Sequence, residues 1–201
     1  MKDVKDLLVD VASRAARYVD EVADRSVAPT LESVARLSEL GGPLPDEPTA
    51  SSEILALLDR VGSPATVASS GGRYFGFVTG GSLPAALAAN WLAGAWDQNA
   101  ALRVMSPVAA EIEEIVRRWM IDLFGLPPES AAGFVTGTTM ANFSALAAAR
   151  TAILTREGWD VEQEGLFGAP PIQVVVGDEV HVSVLKALSL LGMGRAREFR
   201  S

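Results

Sequence analysis

"GFVTGTTMANFSALAAAR", residues 133–150, decides the fold. A short apolar run passes through a turn of glycine and hydroxyl residues directly into an alanine-rich segment. A strand over Gly133–Thr136 is therefore expected to feed a helix from Met140 to about Glu157 with no spacer. Further along, "IQVVVG", residues 172–177, is continuously apolar and rich in β-branched residues, the pattern of a strand buried on both faces of a mainly parallel sheet. A helix from about Val182 to Leu191, closed by Gly192, is expected to follow, and "AREFR", residues 196–200, reads as the opening of another strand. Strands alternating with helices give an α/β layer. The sequence is expected to stop while that layer is still being built.

Upstream the texture is helical. Val4, Leu7, Leu8, Val11, Ala15, Tyr18 and Val22 recur at steps of three and four, marking an amphipathic first helix. A short helix near Thr30–Leu40 ends at "GGPLPDEP", and "SSEILALLDRVG" reads as a third. These form a helical arm, residues 1–62, ahead of the first part of a larger domain, residues 63–201. Such an arm is either a solubilising bundle or the exchange element of a dimer, and an exposed apolar face on the first helix favours the dimer. Beyond it, Ser82 is expected to cap a helix with Pro84 in its first turn, and Ser106 the next, with Pro107 leading. Ile112, Ile115, Trp119 and Leu123 trace that helix's expected buried face, and Gly125 with Pro127 ends it.

Composition narrows the function. The formal charge of −8 is spread over both signs, with none of the basic stripe that nucleic acid demands. With no cysteine and one histidine, neither a disulfide framework nor an ordinary zinc site can be built, so no metal is expected. Acids interrupt the first 22 residues every few positions, against a signal peptide, and no apolar run approaches the roughly 20 residues of a membrane span. The expectation is a cytoplasmic protein without membrane contact.

A helix starting straight after a strand presents unsatisfied N–H groups and the positive end of its dipole, together an anion site. Gly137 lets a ligand approach the backbone, and the hydroxyls of Thr138 and Thr139 can add hydrogen bonds to phosphate oxygens. The alternative is that Thr138 merely caps the helix. "TGTT" lacks the lysine of a P-loop and the glycines of a dinucleotide fingerprint, which disfavours a nucleotide. His181, the sole histidine, stands four residues past the second strand, on the edge where open α/β sheets bind ligands. It reads either as a structural residue or as a ring that stacks on an aromatic group whose phosphate the other turn holds.

Four blocks in order, "RYFGFVTGGSLPAALAANWLAGAWDQN", "SPVAAEIEEIVRRWMIDLFGLP", "GFVTGTTMANFSALAAAR" and "VVVGDEVHVSVLKALSLLGMG", resemble the N-terminal part of the pyridoxal phosphate-dependent group II amino acid decarboxylases, relatives of the aromatic amino acid and glutamate decarboxylases. The likeness covers roughly Ser51 to Gly194. It implies an aminotransferase-like (fold type I) large domain with a helical arm, pyridoxal 5'-phosphate as cofactor and an L-amino acid as substrate, which loses its carboxylate as carbon dioxide to leave an amine. By that resemblance Thr138 and Thr139 take the phosphate, His181 is the catalytic, cofactor-stacking histidine, and Phe77 and Thr79 line the substrate side. "NAALRVM" matches a segment near the family's dimer interface, so a homodimer through the arm is implied.

The sequence departs from the pattern in places. Gly72 and Arg73 stand where the family often has His-Pro, and Met140 where it is often acidic. The cofactor-holding lysine is expected downstream of Ser201, as is the aspartate facing the pyridine nitrogen. Of Lys2, Lys5 and Lys186, the last is five residues past His181, about 140° around a helix. Asp178 reads as a cap for the following helix. Other lyase or aldehyde-forming chemistry on the same cofactor, a non-catalytic truncated paralogue, a plain structural α/β domain and a nucleotide module are the competing readings.

Overall fold

The structure is a computed structural model that describes residues 2–194. The strand expected at 196–200 lies outside the described residues. Eight α-helices make up the described regular structure together with two 3₁₀ turns, Arg36–Leu40 and Ser63–Ala65. The chain divides into two compact units, Met1–Asp97 and Gln98–Ser201. The expected arm, 1–62, lies within the first, and residues 63–97 continue that unit.

In the first unit, α1 (Lys2–Glu21) packs on α3 (Ser51–Gly62), with α2 (Leu31–Ala35) and α4 (Pro84–Trp96) completing it. Thr30 caps α2 by accepting from the Ser33 N–H, and the following turn tightens to 3₁₀ before Gly41. Val61 and Ala68 are buried. Polar contacts fix α1 against α3: Asp59 Oδ2 accepts from Arg14 Nη1 at 2.9 Å and Arg17 Nη2 at 3.1 Å, while Tyr18 and Thr66 share a 2.7 Å hydroxyl contact. Arg25 lies over the Tyr18 ring, 4.6 Å from its centroid, and donates to the Ser63 carbonyl. An open groove of about 790 Å³ runs between these helices and α4, lined by Val11, Ala15, Tyr18, Leu55, Leu58 and Trp91 among others. The cap expected at Ser82 falls instead on Leu83, which offers no side-chain bond, so Pro84 alone starts α4.

In the second unit, α5 (Pro107–Phe124) starts and stops as its sequence dictates. Ser106 accepts from the Ala109 N–H, Pro107 leads, and Gly125 closes the helix in the left-handed region at φ 61°. Its expected buried face is a correction: Ile112, Trp119 and Leu123 are exposed and Ile115 is half-buried, because α5 packs substantially on no other described helix of its unit. α6 (Thr138–Arg156) and α8 (Val182–Leu190) form the main packed pair, with Leu154, Ala187 and Leu188 fully buried. Between them, Asp160 caps the short α7 (Val161–Glu164) by accepting from the N–H groups of Glu162 and Gln163.

The strands expected at 133–136 and 172–177 do not form, and the described residues contain no strand of the expected α/β layer. A strand exists through a ladder of N–H and C=O groups on a neighbour, and neither segment has one among the described residues. The second retains a period of two: Ile172, Val174 and Val176 are half-buried while Gln173 and Val175 face outward. The expectation of burial on both faces is therefore corrected to one.

Candidate cofactor site

The second unit brings together the turn before α6 and the start of α8. Gly137 is the N-cap of α6 at φ 158°, ψ 175°, a corner of backbone space that glycine occupies almost alone. An added Cβ there would meet nothing within 4 Å, so the turn opens onto free space. Thr138 is the first helical residue rather than the cap, and no side chain caps α6. The first-turn N–H groups, with the exposed Thr138 and Thr139 beside them, thus have no side-chain acceptor among the described residues, and the turn contains no acidic residue. That is a cradle for an anion such as a phosphate.

Forty-four residues after Gly137, α8 opens on His181. The chain turns at Gly177–Val180, closed by a 3.1 Å bond from the Val180 N–H to the Gly177 carbonyl, and Asp178 sits inside that turn. Asp178 therefore does not cap α8; His181 does, its Nδ1 accepting from the Ser183 N–H at 3.2 Å. The Ser183 hydroxyl, buried at 2% exposure, lies 2.8 Å from the same Nδ1 and accepts from Asn142 Nδ2 at 2.8 Å. Asn142 is on α6, one turn beyond Thr138. A side-chain relay therefore links the phosphate-type turn to the histidine, and the imidazole itself remains exposed.

Asn142 and Ser183 were absent from the expected site residues. A hydroxyl residue two positions after the only histidine was the sole hint in the sequence, and neither its burial nor its partner on α6 could be seen from spacing. Lys186 is exposed on α8 and makes no ion pair among the described residues. Phe77 and Thr79 belong to the first unit. Phe77 and Val78 both sit at positive φ, 53° and 55°, and are almost fully exposed. For a β-branched residue that is a strained conformation, of the kind that accumulates at binding loops.

The residues present fit a pyridoxal phosphate group on chemical grounds: an open, uncapped helix N-terminus for the phosphate and an exposed aromatic ring tethered to the same helix. Comparison with known proteins agrees. Residues 40–200 match the family described as "Pyridoxal-dependent decarboxylase conserved domain". The chain is 25% identical over 187 residues to an aromatic-L-amino-acid decarboxylase of Bacillus atrophaeus, covering 93% of this chain and 35% of that one. It superimposes on mouse CSAD with a TM-score of 0.81 and 26% identity, covering 98% of this chain and 41% of that one. A structure of Oryza sativa TDC with PLP gives 0.80 and 23%, covering 98% and 43%, which shows the shared fold. The chain thus spans between about a third and two-fifths of the length of these relatives. A match over four-fifths of its residues settles its kinship: the chain belongs to the pyridoxal-dependent decarboxylase family.

Proposed function

We propose that the protein carrying this chain is a pyridoxal phosphate-dependent amino acid decarboxylase, releasing carbon dioxide and an amine from an L-amino acid. The observation that carries the reading is the family match over residues 40–200, which contains both the open α6 turn and the tethered His181. Pyridoxal phosphate, when bound, supplies the electron sink for loss of the α-carboxylate. This chain's residues bind and orient. The first-turn N–H groups of α6 and the hydroxyls of Thr138 and Thr139 hold the phosphate, charge-assisted bonds in a favourable dipole. The face of His181 lies against the cofactor ring, and Phe77 and Thr79 line the substrate side.

In the same reading, residues 133–136 and 172–177 are strands of the α/β large domain; the period-two exposure of 172–177 supports that role for the second segment. The helical arm pairs two copies into a homodimer, supported by the exposed Val4, Leu8 and Val9 of α1. No described helix is long and apolar enough to cross a membrane.

The test is a product assay on the whole protein with pyridoxal phosphate and a panel of aromatic, acidic and small L-amino acids. Carbon dioxide and the matching amine in equal amounts support the proposal. An aldehyde in place of the amine, or no carbon dioxide from any substrate while the cofactor is bound, overturns it.

A further inference from the structure

We propose that Asn142 and Ser183 are positioning residues that hold His181 as the neutral Nε2–H tautomer and fix its ring against the first turn of α6; this rests on the reading of His181 as a cofactor contact. The proton order follows from which groups can only donate. The Ser183 backbone N–H lies 3.2 Å from Nδ1 and has no lone pair to offer, so Nδ1 must be unprotonated. The Ser183 hydroxyl, 2.8 Å from the same nitrogen, then has to be the donor. Its lone pairs are left to accept, and Asn142 Nδ2 supplies a proton at 2.8 Å. Every link runs one way, from the Asn142 amide through the Ser183 hydroxyl to His181 Nδ1.

The opposite tautomer breaks this order. A proton on Nδ1 would face the Ser183 N–H, setting donor against donor at a helix cap where Ser183 is only 2% exposed and water has little access. The ring proton therefore resides on Nε2, which has no hydrogen-bond partner among the described residues. Two bonds to one nitrogen also fix the plane of the ring. Because Asn142 lies one turn past Thr138, that plane is set relative to the turn proposed to hold the phosphate. The ring then offers a bound cofactor or substrate a neutral face and a single outward N–H donor.

The sole histidine of this sequence makes the test direct. The full chain, labelled with ¹⁵N-histidine, is examined at neutral pH by long-range proton–nitrogen correlation, with His181→Gln to assign the signals and circular dichroism to confirm folding of each variant. The expected wild-type pattern is an unprotonated Nδ1 and a protonated Nε2. Ser183→Ala and Asn142→Ala each lower the Nε2–H to Nδ1–H ratio by roughly two- to tenfold, the worth of one ordinary hydrogen bond, and Ser183→Thr restores it. A wild-type ring mainly in the Nδ1–H form overturns the proposal whether or not the variants fold. So does a ratio unchanged in both folded variants.

An absorbance titration of the whole protein, wild type and variants, with pyridoxal phosphate separates the two levels. Uptake of the cofactor by a protein with the Nδ1–H ring overturns the positioning role alone. No uptake by the whole protein with the expected tautomer overturns the cofactor reading and leaves the proton order supported.

Discussion

Replacing Asp59 by asparagine should loosen the first unit in a pH-dependent way. The carboxylate is held below its ordinary range by the Ser63 hydroxyl first, against some desolvation, then by the Arg14 hydrogen bond and the charges of Arg14 and Arg17. Ser63 Oγ donates to Oδ1 at 2.8 Å, and both arginines donate to Oδ2. Hydrogen bonds to a charged group contribute about 1.5–3 kcal/mol when shielded, but the Asp59 and Arg14 side chains keep 21% and 27% of their surface in water and Arg17 keeps 56%. Screening reduces the net to about 1–2 kcal/mol. The native carboxylate pKa is depressed, so this stabilisation is fully present above the unfolded value of about 3.9 and is lost as pH falls through the native one. The assay is hydrogen exchange at the amide of Val61, a buried residue on the same helix. At pH 7 Asp59→Asn should speed exchange, corrected for the intrinsic rate, by roughly 5- to 30-fold, and the difference should shrink below about pH 4. Equal protection at pH 7, or a gap that persists unchanged into acid, would refute the reasoning.

Leu188→Ala removes a fully buried side chain from the α6–α8 contact and should cost about 2–5 kcal/mol, seen as a lowered urea midpoint; a change below about 1 kcal/mol would mean the contact is not a core. Gly137→Ala meets no steric obstacle, so its expected cost of about 1–3 kcal/mol is backbone strain, and it should appear in stability even without cofactor. Thr138→Val and Thr139→Val keep the shape of α6 but lose their hydroxyls. Each should weaken pyridoxal phosphate binding by roughly tenfold or more in an absorbance titration while leaving the helix content unchanged; unaltered affinity in both would remove these hydroxyls from the site.

Local signals carried most of the helical structure. Ser106, Pro107 and Gly125 bound α5 where capping chemistry puts them, and Gly192 closes α8 at φ 72°. The same reasoning failed where a local group had a competitor. Ser82 and Asp178 are good caps by type, yet helix starts at Pro84 and Val182 leave both outside the capping position. It missed α7, although Asp160 with Gln163 three residues on is a capping-box pattern, because the run is too short to show a period. Burial was less legible than helicity. Periodicity marks Ile112, Ile115, Trp119 and Leu123 as one stripe, but it cannot say what covers that stripe, and of the four only Ile115 is even half-buried.

The site shows the same division between what one segment encodes and what only folding assembles. The turn at Gly137–Thr139 and the position of His181 were readable because each is a local feature of a strand-like run passing into a helix. The relay between them was not, since Asn142 and Ser183 are 41 residues apart and each, taken alone, is an ordinary helical polar residue. Packing of α6 on α8 makes them partners: the apolar contact that buries Leu154, Ala187 and Leu188 also buries the Ser183 hydroxyl, which must then find partners within the protein. Asn142 and His181 are the partners it finds. The cost of burying one hydroxyl is thereby converted into a fixed orientation for the one histidine, so substitutions in the α6–α8 core should reach the ring as well as the stability of the unit.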